Sequence, residues 1–95
     1  MGFIKEFISE KLYEKELASI AKIAASICFD DMMINQKKKS WNDVKDNVLS
    51  KQQLLISMLA YYRSHKDNYY NQLLIAFANS ELLCCNNIIA KYQTP

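Results

Sequence analysis

A chain with one glycine and one proline among 95 residues has almost none of the punctuation that a series of short strands requires. A few long helices need very little of it. Hydrophobic residues make up 51% of the chain, which is enough apolar surface to offset the entropy of ordering it. Ninety-five residues suit one core and are too few for two, so residues 1–95 are expected to form a single all-α domain.

Apolar residues recur at three- and four-residue spacing from about Phe3 to about Met33: Ile4, Ile8, Leu12, Tyr13, Leu17, Ile20, Ala24 and Ile27. This pattern predicts one long helix or two collinear ones, with Lys5, Glu6, Glu10, Lys11, Glu14, Lys15 and Glu16 on the solvated side. The small residues of Ala18–Ser26 predict a close helix crossing. Asn35–Ser40 is polar and holds three consecutive lysines, so it reads as the main loop. Ser40 with Asp43 three residues on is a capping signal for a helix beginning near Trp41. Trp41, Val44, Val48, Leu55, Met58 and Tyr62 continue an apolar seam that Lys51 interrupts. Ser50 with Gln53 offers a second start, which leaves three long helices or four shorter ones open.

Arg63–Asn68 is the second polar connection, with Asp67 or Asn68 as cap of the next helix. That last helix is expected to run to about Tyr92. Glu81 is its only charge between Tyr69 and Ala90 and apolar residues fall on more than one face, so it is expected to be central or covered on two sides. Asn71, Gln72, Asn79, Ser80, Asn86 and Asn87 are spread through it, which speaks against a membrane span. The expected architecture is a small antiparallel helical bundle.

Catalytic means are scarce. Cys28, Cys84 and Cys85 share the chain with one histidine, His65, and no glycine-rich elbow accompanies any of them. Neighbouring cysteines rarely bridge each other, and an odd count fits a reducing compartment, so all three are expected as small apolar packing residues, with one thiol of the Cys84–Cys85 pair pointing into the core and the other toward a flank. Asp30 and Asp31 point about 100° apart on a helix and are expected in solvated or capping roles. Glu6, Glu10 and Glu14 line up, but the Glu-x-x-His element of di-metal bundles is missing. The chain is therefore expected to be no enzyme and to hold no cofactor or metal. Acidic residues interrupt any secretory apolar run at the start, and Glu6 stands where an N-myristoylation motif wants Ser or Thr. A cytoplasmic protein is expected.

A formal charge of +2 names no partner. Lys37, Lys38 and Lys39 beside Trp41 are the one nucleic-acid feature; a solvated loop next to a core tryptophan explains them as well, and binding through them is the third-ranked reading. Tyr61–Tyr62 and Tyr69–Tyr70 flank the second connection. Adjacent helical residues cannot share a face, so one ring of each pair is expected near the surface, where tyrosine suits a protein interface. Tyr61, Tyr62, Arg63, His65, Tyr69 and Tyr70 are the candidate partner-binding residues. A homo-oligomer that buries the second face of the last helix is the runner-up.

Leu55–Lys66, which ends in Tyr61-Tyr62-Arg63-Ser64-His65-Lys66, resembles the third helix of the pediocin-type bacteriocin immunity proteins. The resemblance implies an antiparallel four-helix bundle that protects a producer cell by binding a toxin or its receptor complex. That family usually carries a longer C-terminal tail than the stretch after Tyr92 here. The leading functional expectation is an immunity or inhibitor protein that neutralises a toxin or effector by direct binding, of the kind borne by bacterial or phage mobile elements.

Overall fold

The computed structural model describes residues 6–93, so Phe3, Ile4 and the Gly2 motif lie outside the described residues. Three antiparallel helices make the fold: α1 (Glu10–Asn35), α2 (Trp41–Arg63) and α3 (Tyr69–Gln93). There is no strand among the described residues. The three-helix alternative is the one realised. α2 passes through Ser50 without a break, and the Ser50 hydroxyl donates to the Asn47 carbonyl at 2.8 Å instead of capping a new helix.

Each helix start is set by a short polar side chain. Ser9 accepts the Leu12 N–H at 3.1 Å, so α1 begins at Glu10, later than its apolar periodicity predicted. Ser9 relieves one of the unpaired amides of the first turn. At α2 the Asp43 carboxylate accepts the Ser40 N–H at 2.8 Å, as the spacing of the two residues predicted. That backbone hydrogen bond, aided by the Ser40 side chain, holds the Asp43 carboxyl below its ordinary value. At α3 it is Asn68 that caps, accepting the Asn71 N–H at 2.8 Å. Lys37 closes α1 with a positive φ of 59°, the left-handed conformation that commonly ends helices and that glycine adopts most easily.

The core is a stack of Ile20, Ile23 and Ile27 from α1, Val44, Val48, Leu55, Leu59 and Tyr62 from α2, and Leu74, Ala78 and Cys85 from α3. Residues 6–9 run non-helically across one end and add Ile8 to that core. They are fastened to the second connection: the Lys66 N–H donates to the Glu6 carbonyl at 2.9 Å, and Asn68 Nδ2 donates to the Ile8 carbonyl at 3.0 Å. Asn68 therefore caps α3 and clamps the segment before α1 at once.

The structure departs from the sequence pattern at four places. α3 is long and apolar enough to cross a membrane by length and composition, yet it is not covered on two sides. Asn71, Leu74, Ala78 and Cys85 are its buried face, and Leu83 is 61% exposed on the other. Of Ala18–Ser26, Ala18, Ala21 and Ala25 point outward, so the crossing is made by the isoleucines and not by the alanines. Asp30 is buried, not solvated, because α2 brings it a donor: Asn47 Nδ2 lies 2.6 Å from Asp30 Oδ2 and 3.1 Å from Ser26 Oγ. Cys28 is exposed where burial was expected, while the Cys84–Cys85 pair divides as adjacent helical residues should, Cys84 exposed and Cys85 buried with its thiol 3.7 Å from the Val48 carbonyl. Burial, with Cys84 beside it, pushes the Cys85 thiol up from its ordinary pKa.

Candidate interaction surface

The predicted tyrosine cluster divides. Tyr62 is fully buried and its hydroxyl donates to Glu16 at 2.9 Å. Burial first, and then the Glu16 carboxylate, raise its pKa above the ordinary phenol value. It is a core residue that ties α2 to α1, and is withdrawn as a partner-binding residue. Tyr70 is half-buried with its ring 5.0 Å from that of Tyr13. Tyr61 and Tyr69 are the exposed members of their pairs, at 46% and 70%, as the helical geometry predicted. Tyr69 lies edge-on to Tyr70, and Tyr61 edge-on to His65 with centroids 4.7 Å apart. His65 is held there by its Nδ1–H donating to the Tyr61 carbonyl at 2.8 Å. No ring contact among the described residues joins the Tyr61–His65 pair to Tyr69–Tyr70. Arg63 is exposed but leaves α2 about 200° from Tyr61.

Lys37, Lys38 and Lys39 are all exposed, and Lys39 Nζ stands 6.0 Å from the centroid of Phe29. Trp41 is half-buried and stacked on Tyr92, centroids 5.8 Å apart and 25° from parallel. Tyr92 in turn donates to Asp31 at 2.5 Å, where Lys91 also arrives at 3.2 Å. One face of the indole is thus occupied inside the bundle.

A different surface assembles between α1 and α2. A groove of 540 Å³ is lined by Ser19, Lys22, Ile23 and Ser26 of α1 and by Lys51, Leu54 and Met58 of α2. Lys51 interrupts the apolar seam of α2 there and Ser19 and Ser26 are small, and α1 and α2 pack against each other less extensively than either packs against α3. Leu54, Met58 and Tyr61 follow at four- and three-residue spacing, which places them along one side of α2, and His65, just past its end, packs against Tyr61. Leu54 is 47% exposed although it neighbours the fully buried Leu55.

The lysine distribution is the part that the linear order concealed. Ser19, Lys22 and Ser26 share one side of α1, and Lys51 joins them from α2 in lining the groove. Neither Lys22 nor Lys51 has an ion-pair or hydrogen-bond partner among the described residues, where the one ion pair is Lys91–Asp31. The nearest acids in sequence on α1 are hydrogen-bonded to other groups, Glu16 to Tyr62 and Asp30 to Asn47, whose amide also reaches Ser26 of the groove. A near-neutral chain therefore presents a basic edge beside exposed apolar side chains. Among the described residues no group of three or more His, Cys, Asp or Glu side chains could hold a metal ion. Against protein-family models, characterised proteins and solved structures alike, the chain finds no match.

Proposed function

We propose that this is a non-enzymatic binding protein that inhibits a partner protein, a toxin or an effector, by covering part of its surface. The observation that carries the reading is the α1–α2 groove, where exposed Leu54 and half-buried Met58 stand beside Lys22 and Lys51, with exposed Tyr61 one turn further along α2. Exposed large apolar and aromatic side chains gathered at one place mark interaction sites more often than isolated ones do. The rigid helices behind them are an economical way to present such a patch without ordering it on binding. Leu55–Lys66, the stretch that resembles bacteriocin immunity proteins, holds Met58, Tyr61 and His65 of this surface.

Leu54 and Leu55 allow a clean test, because one faces solvent and the other is fully buried. Leu54→Glu is expected to leave the melting temperature within a few degrees of the parent, since exposed substitutions change stability by about 0.5 kcal/mol or less. Leu55→Ala is expected to cost about 2 to 5 kcal/mol. In gentle affinity capture from the native host, the parent protein should retain a stoichiometric protein partner and the Leu54→Glu variant should lose it. Recovery of no partner, or equal recovery with both proteins, overturns the reading.

A further inference from the structure

We infer that the α1–α2 groove takes an acidic amphipathic helix of the partner, which would complete a four-helix bundle; this rests on the protein-binding reading above and specifies its chemistry. Buried Ile23 and half-buried Met58 give the groove an apolar base, Leu54 stands exposed beside them, and Lys22 and Lys51 line it from α1 and α2. A helix with leucine-like residues at i, i+4 and i+7 and carboxylates on either side satisfies both. Ser19 and Ser26 are small enough to let a helix backbone come close, and their hydroxyls are bonded within the bundle, Ser19 to the Lys15 carbonyl and Ser26 to Asn47.

Other occupants fit less well. The described residues offer no free sheet edge, so an extended peptide would gain no ladder hydrogen bonds. A phosphate-bearing ligand would engage the lysines but leave Leu54 and Met58 in water, and no arginine stands at the groove to grip it bidentately. A second copy of this chain does not supply the right helix. Glu10 and Glu14 of α1 alternate with Lys11 and Lys15, Asp43 and Asp46 of α2 bracket Lys45, and α3 has Glu81 as its lone acid. Complementary charge also acts at a distance, so Lys22 and Lys51 would speed encounter with an acidic helix in a salt-dependent way.

The test is selection of a displayed library of 20-residue helices against the whole protein. One face is fixed as leucine at i, i+4, i+7 and i+11, and the flanking positions are randomised among Glu, Gln and Lys. Selected peptides should be enriched in Glu at the flanks. The Lys22→Glu/Lys51→Glu double variant should bind the best of them at least tenfold more weakly and should itself select Lys at those positions. Changing Lys37, Lys38 and Lys39 together to Gln should leave the affinity within about twofold, which separates the groove from general attraction to a basic loop. Failure to select any binder, enrichment without Glu, or indifference to the Lys22→Glu/Lys51→Glu change overturns the inference. A host partner that is lost from Leu54→Glu yet binds the double-lysine variant normally would overturn the acidic helix and leave the binding function standing. Acidic peptides seated in the groove with no host partner would do the reverse.

Discussion

At the scale of single residues the most informative position is Lys37. Its φ of 59° puts a long side chain where the Cβ atom crowds the backbone, a conformation that costs about 1 to 2 kcal/mol for a residue other than glycine. The Gln36 and Lys38 amides, which donate to Met32 and Met33 at 2.9 Å each, hold it there. Lys37→Gly is therefore expected to stabilise the protein by about 1 kcal/mol despite the greater freedom glycine brings to the unfolded chain. Urea titrations of parent and variant, compared by midpoint at equal slope, measure it; an unchanged or lower midpoint would show that the loop has no strain to release. The loop itself was legible in the sequence from its polarity. The left-handed turn inside it was not, because the usual signal is a glycine and a lysine stands in its place. Asp30 was illegible for a related reason: a carboxylate reads as surface until a donor from another helix, here Asn47, is known to reach it.

At the scale of elements, the sequence showed that helices would form and roughly where they would stop, because the caps are local chemistry. Ser40 with Asp43 and the polar run before Tyr69 are readable within four residues of themselves. The choice between three helices and four was not local, since Ser50 has the residue type of a cap and lacks only the chain reversal. The groove was hidden for the same reason. Lys51 was visible as a flaw in an apolar seam, but Lys22 comes to line the same groove only once α1 lies antiparallel to α2. The joint between α2 and α3 turns on Asn68, whose oxygen accepts from Asn71 and whose amide donates to Ile8. Asn68→Asp keeps the acceptor and loses the donor; Asn68→Ala loses both. The expected order of stability is parent, then Asp, then Ala, with Ala about 1 to 2 kcal/mol below the parent. Thermal unfolding of the three proteins checks the order, and equal stability of the Asp and Ala variants would show that the cap contributes nothing.

On the scale of the whole molecule, the segment that crosses the end of the bundle governs the sequence of events in folding. α2 and α3 pack most extensively and are joined by a short connection, so their hairpin closes at small entropic cost. Glu6 and Ile8, by contrast, bond to Lys66 and Asn68 across about sixty residues, and that closure gains only when the connection it grips already exists. The segment is thus a latch fitted after the door has shut. Ile8→Val, which trims one methylene from a fully buried side chain, should cost about 1 kcal/mol, and nearly all of it should appear as faster unfolding, with the refolding rate unchanged. Stopped-flow chevrons decide it: a slowed refolding arm would mean that the latch is set before the bundle closes.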